Sequence, residues 1–136
     1  MIGPALALGL GCIGSAIGCG IGGMAAQAVM SRVEENHGTF IAMTVMSASQ
    51  SIYGFVLMIL LKASIDAGST SPMSGIGIGL AAGLALMISS IYQGMCAASG
   101  IQAAAKQPAI LGKCFIAPSI IESFSIFAFV FALMLL

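Results

Sequence analysis

The sequence predicts an all-α membrane protein: four transmembrane helices built as two duplicated helical hairpins. Three observations carry this. Of the 136 residues, 60% are apolar and 6% charged, with net charge zero, mean hydropathy +1.14 and no tryptophan. Such a chain cannot present the charged surface of a soluble domain of this length. Four apolar runs each reach the roughly 20 residues a helix needs to cross a bilayer. The second half also matches the first. Unpaired backbone amides are so costly in lipid that spans must be helices or a closed barrel, and runs without alternation choose helices.

The first span is expected at about Gly3 to Met30. It has no basic leader and its apolar stretch runs past Met24, longer than a signal core, so it reads as a permanent helix. The second is expected at Phe40 to Leu61, the third at Met73 to Ala105 and the fourth at Ala109 to Leu136. The connections are Ser31 to Thr39, Lys62 to Pro72 and a tight turn at Lys106 to Pro108. The first and third connections share one side of the membrane. They hold Arg32, Lys106 and, just beyond, Lys113, against Lys62 alone in the middle one. The positive-inside rule therefore sets them in the cytoplasm and both termini outside, as for a multi-pass protein of the cell membrane. Glu34, Glu35 and His37 read as a solvated turn rather than a metal site. Cys12, Cys19, Cys96 and Cys114 lie within spans as small apolar groups, with no disulfide framework implied.

A shift of 72 residues lays Gly11 on Gly83, Gly22 on Gly94, Ala25-Ala26 on Ala97-Ala98, Phe55 on Phe127 and Gln50 on Glu122. Residues 1–62 and 73–136 therefore read as two hairpin repeats, each with a small-residue first helix and a bulkier second one. Gly11, Gly14, Gly18 and Gly22, and likewise Gly75, Gly79 and Gly83, recur at helical spacing. Such side-chain-free faces let helix backbones approach closely in lipid. The expectation is a crowded inner ring of helices assembled from many copies, the plainer alternative being pairing inside one monomer. Gly18, Gly20 and Gly23 match G-x-G-x-x-G, but no strand precedes them, so a nucleotide fingerprint is rejected.

Of the eight formal charges, only Glu122 falls in the middle of a long apolar run. A charge at the bilayer centre costs about 2.5–3.5 kcal/mol on insertion scales, and intramembrane acids are usually functional. The second span carries Met46, Ser49, Gln50 and Tyr53 at i, i+3, i+4 and i+7, one face of a helix, and the third span adds Gln93. Converging on Glu122, these supply a carboxylate, two amide oxygens and a hydroxyl, with the Tyr53 phenol able to hydrogen-bond the carboxylate. The plainer roles are interhelical hydrogen bonding for Gln50 and Gln93, aromatic packing for Tyr53, and a permanently protonated carboxyl for Glu122. A proton needs only a carboxyl in an apolar niche, whereas a sodium ion needs several oxygens in place of its hydration shell. The ligand count favours sodium over a proton. Pro118, four residues before Glu122, is expected to free the Cys114 carbonyl, giving a kink or a local opening near the acid.

With these features assembled, the chain resembles the proteolipid family of V-type ATPases, the subunit K type that builds the rotor ring. The resemblance rests on Gly14-Ser15-Ala16 with Gly18 and Gly20, on Ser49-Gln50-Ser51-Ile52-Tyr53-Gly54-Phe55-Val56, on Gln93-Gly94 with Ala97-Ala98 and Gly100-Ile101, and on Glu122. It implies a homo-oligomeric rotor ring in the lipid bilayer, with the first and third helices inside. It also implies a stator membrane subunit presenting an arginine, and a central stalk, as partners. By motif, the sodium-binding members' ligands fall on Glu122, Gln50, Gln93, the Ser49 hydroxyl and the Met46 carbonyl, with Tyr53 supporting the acid. Ser49 stands where the family usually has threonine, keeping the oxygen without the methyl.

The resemblance implies a transported Na+ or H+ rather than a cofactor, no catalytic residue, and no nucleic-acid partner. With Gln50 in place of a second acid, one ion is carried per copy of the chain, which lowers the ions moved per turn. A small multidrug exporter is the rival reading. It would place its acid in the first helix among aromatics, and here that helix is acid-free and rich in glycine.

Overall fold

A computed structural model describes residues 1–136 and contains helices and turns only. Helix α1 spans Ile2–Met30, α2 His37–Val45, α3 Ser49–Asp66, α4 Pro72–Lys106 and α5 Ile116–Leu133. Short 3₁₀ segments at Met46–Ala48 and Pro108–Phe115 join α2 to α3 and lead into α5. Four units are long and apolar enough to cross a membrane: Ile2–Met30, His37–Asp66, Pro72–Lys106 and Pro108–Leu133. The protein is an integral membrane protein. Glycine opposes helix formation in water, yet α1 is helical throughout. In lipid the backbone has no partner but itself, and that outweighs the propensity.

Local chemistry sets the ends. Ser71 caps α4 by accepting a 3.1 Å hydrogen bond from the Ser74 amide, Pro72 occupies the first turn, and Lys106 lies in the last. Beyond α3, Gly68 adopts φ +79° and its amide donates to the Ile65 carbonyl at 3.0 Å, a left-handed stop that glycine takes without a Cβ clash.

The structure corrects the bounds of the second span and adds local detail to the fourth. The second span begins at His37 and runs to Asp66, longer than Phe40 to Leu61, and its α-helical winding is interrupted at Met46–Ala48. The fourth span begins at Pro108, close to the expected Ala109, but its first eight residues are 3₁₀ helix and α5 starts at Ile116. Pro118 stands in the first turn of α5, three residues past the end of the 3₁₀ segment. Its missing N–H leaves the Cys114 carbonyl without an i+4 donor, beside the change from 3₁₀ to α-helical winding.

Helices α1 and α4 lie side by side with backbone against backbone. A Cβ added at Gly94 would stand 2.2 Å from the Gly18 carbonyl oxygen, and one at Gly18 would stand 2.4 Å from that of Ser90. Gly11 faces the Gln50 carbonyl in the same way at 2.8 Å, which seats α1 against α3. Two apolar clusters form towards opposite ends. Ala26, Val29, Phe40, Met43, Ala97, Ile101 and Ala104 make one, and Ala7, Leu57, Ala82 and Ala132 the other. Between them lies a layer of buried polar side chains: Ser47, Gln50, Ser90, Gln93 and Ser125. The outer face of α5 exposes Ile116, Ile120, Phe124, Phe127 and Phe131, the surface expected against acyl chains.

Candidate ion site

The polar layer converges on Glu122. Its Oε1 accepts from the Ser49 hydroxyl at 2.7 Å and from the Tyr53 phenol at 2.8 Å. Its Oε2 accepts from the Gln93 side-chain amide at 2.6 Å and from that of Gln50 at 3.3 Å. The carboxylate of α5 is therefore held by donors from both α3 and α4. Gln50 and Gln93 are fully buried, while Glu122, Ser49 and Tyr53 are half-buried.

Each position has a local cause. Ser49 opens α3 directly after the 3₁₀ turn, and its hydroxyl also lies 3.1 Å from the Met46 carbonyl. A hydroxyl has one proton, so it donates to either acceptor in turn. Tyr53 stacks on Phe129 with ring centroids 5.6 Å apart, which fixes the phenol over Oε1. Gln93 also donates to the Pro118 carbonyl at 3.2 Å, tying α4 to the first turn of α5. Gln50 donates to the Gln93 side-chain oxygen at 2.8 Å. Gln50 and Glu122, equivalent under the 72-residue shift, thus touch each other across the two hairpins.

All six sequence-predicted residues gather here, with one distinction. Met46 does not touch the carboxylate; its carbonyl meets Ser49, and it lines a shallow recess of about 380 Å³ with Val45, Ala48, Ser49, Ile52 and Glu122. Sequence reasoning missed Ser125 and Ser89. Gln50 donates to Ser125 at 3.0 Å, and Ser125 hydrogen-bonds Ser89. The signal that could have found them is spacing, since Ser125 lies three residues after Glu122 and Ser89 four before Gln93, each on a site-facing stripe.

No cationic side chain reaches the acid. The single ion pair in the chain is Lys62 with Asp66, exposed at the end of α3. Neutral dipoles can orient and partly stabilise a carboxylate, but they cannot cancel its charge in lipid. The arrangement therefore suits a mobile cation.

Replacing Tyr53 with Phe keeps the stack on Phe129 and removes one of two donors to Oε1. The expected result is a roughly fivefold faster labelling of Glu122 by a carboxyl-reactive carbodiimide at fixed pH, in line with about 1 kcal/mol for a hydrogen bond.

The ATP synthase C-subunit family matches this chain twice, at residues 2–61 and 76–135. The A-type ATP synthase subunit K of Methanocaldococcus jannaschii is 34% identical over 135 residues, covering 99% of this chain and 60% of the relative. The V-type sodium ATPase subunit K of Enterococcus hirae is 32% identical over 125 residues, covering 90% of this chain and 80% of the relative. The chain thus spans about three-fifths of the archaeal protein's length and four-fifths of the bacterial one's. Matched over most of its length by two tandem copies, one per hairpin, the chain belongs to the ATP synthase C-subunit family.

Proposed function

We propose that this chain is the ion-carrying rotor-ring subunit of a rotary ATPase, that it holds one sodium ion at Glu122, and that it carries that ion across the membrane as the ring turns. The observation that supports this is a lone acid between two apolar clusters, ringed by Ser49, Gln50 and Gln93, each of which carries an oxygen beside the group that now donates to the carboxylate. The oxygens available to a sodium ion are the Glu122 carboxylate, the Gln93 side-chain carbonyl, the Ser49 hydroxyl, at the rim the Met46 carbonyl, and the Gln50 side-chain carbonyl once that amide turns. Tyr53 holds the carboxylate in place. A proton would need the carboxyl alone, and two fully buried glutamines beside it would be superfluous. The Enterococcus relative is named as a sodium ATPase subunit, which agrees with this choice.

The mechanism follows from the energy of charge in lipid. While Glu122 faces acyl chains, its charge is offset by the bound cation. At the stator, an arginine of that partner replaces the cation and releases it into an aqueous half-channel. Each charge moved across the full potential is worth about 2.3 kcal/mol per 100 mV, so rotation and ion gradient are coupled. The chain itself performs no bond chemistry; ATP is handled by other subunits, to which a central stalk connects the ring.

Carbodiimide labelling of Glu122 at fixed pH tests the cargo. Sodium at millimolar concentration is expected to slow the labelling at least tenfold, and equal potassium to leave it unchanged. Protection by acid alone would assign the site to protons.

A further inference from the structure

Gln50 is hydrogen-bonded in an unbalanced way. Its side-chain nitrogen has two protons and three acceptors within reach: Gln93 Oε1 at 2.8 Å, Ser125 Oγ at 3.0 Å and Glu122 Oε2 at 3.3 Å. Its side-chain oxygen is buried and has no partner at all. An orphaned buried carbonyl is a standing cost, so this orientation is held by what the nitrogen gains. Turning the amide over would bring Gln50 Oε1 to face Gln93 Oε1 and Glu122 Oε2. Three oxygens would then converge, an arrangement that repels unless a cation sits among them. The observed orientation, nitrogen towards the carboxylate, is the one that suits a site without a cation; oxygen inward would suit one with it.

Of the three groups around that nitrogen, only Ser125 can serve both orientations, because a hydroxyl both accepts and donates. Ser125 is fully buried and paired with Ser89, whose hydroxyl lies 3.2 Å from the Leu86 carbonyl. With nitrogen inward, the protons point one way, from Gln50 to Ser125 to Ser89 to Leu86. With oxygen inward, Ser125 donates to Gln50 and Ser89 can donate to Ser125, so the row of hydroxyls reverses its polarity.

Resting on the sodium reading above, we propose that Ser125, backed by Ser89, is a positioning residue that lets the Gln50 amide turn between these orientations. It thereby sets the affinity of the site for its cation without touching that cation.

The test is sodium protection of Glu122 against carbodiimide in the assembled protein, at constant pH, for wild type, Ser125→Ala, Ser125→Thr and Ser89→Ala. Ser125→Ala is expected to raise the half-protecting sodium concentration about tenfold, with the unprotected labelling rate retained. Ser125→Thr keeps the hydroxyl and is expected to stay within about twofold of wild type. Ser89→Ala, which leaves Ser125 able to donate, is expected to shift it about threefold. A purely structural role would lower the yield of assembled protein in Ser125→Ala without moving the half-protecting concentration, and that result overturns the proposal. Should Ser125→Ala fail to assemble, an unshifted Ser89→Ala overturns it equally. Wild-type labelling that sodium does not slow would instead remove the sodium reading, and this proposal with it.

Discussion

Replacing Glu122 with glutamine is expected to abolish carbodiimide modification of the chain and to reduce ion transport by the assembled machine to background, while the helices remain intact. The substitution is nearly isosteric, so packing of α5 against α3 and α4 is preserved. The charge is not. Glu122 is the one formally charged side chain in the polar layer, where Ser49, Tyr53, Gln50 and Gln93 all point donors at it. An amide in that place presents one acceptor oxygen and one donor nitrogen, so two of the four donors meet a donor. It also leaves no negative charge for a cation to neutralise. Transport is read as sodium or proton flux in reconstituted membranes, and modification as mass added to the chain. Transport retained by Glu122→Gln would move the carrier elsewhere and remove the site assignment.

The second large effect is expected from Gly94→Ala. The new Cβ would lie 2.2 Å from the Gly18 carbonyl oxygen and 2.5 Å from the Gly18 Cα, and backbone cannot step aside as a rotamer does. Helices α1 and α4 would have to separate, at a cost of about 3 kcal/mol or more, the upper end of overpacking. Because Gln93 is the preceding residue, the same displacement draws its amide away from Glu122 and Gln50. Loss of the assembled protein and loss of ion transport are therefore expected together. Gly20→Ala is the matched comparison, since a Cβ there meets no atom of the chain within 4 Å. It is expected to be neutral or to stabilise α1 by up to about 1 kcal/mol through helix propensity. Resistance to unfolding by dodecyl sulfate separates the two, and equal resistance would discount the glycine seam.

The spans were legible because bilayer thickness and backbone satisfaction leave so few options for a chain this apolar. The centre of the site was legible as well. Glu122 stood out as a lone charge, Ser49, Gln50 and Tyr53 shared a helical face, and the 72-residue shift set Gln50 on Glu122. What escaped depended on relations between helices or on local pitch. Serines are ordinary in transmembrane helices, so the roles of Ser125 and Ser89 emerge only once α3, α4 and α5 are brought together. Pro118 was read from its sequence distance to Glu122, whereas its effect depends on where α5 begins. The 3₁₀ turn at Met46–Ala48 has no apolar-pattern signature, although it sets the entry of Ser49 into the site.

The glycine seam has a mechanical consequence. Side chains yield under load by hopping between rotamers, and a contact made of main chain on main chain offers none to hop. Force delivered along α1 therefore passes into α4 with little give. Elastic compliance belongs instead to the outer layer, where α2 hands over to α3 through a 3₁₀ turn and α5 is preceded by another. The α1–α4 seam is thus the part of the chain least able to deform, and Glu122, on α5, lies outside it.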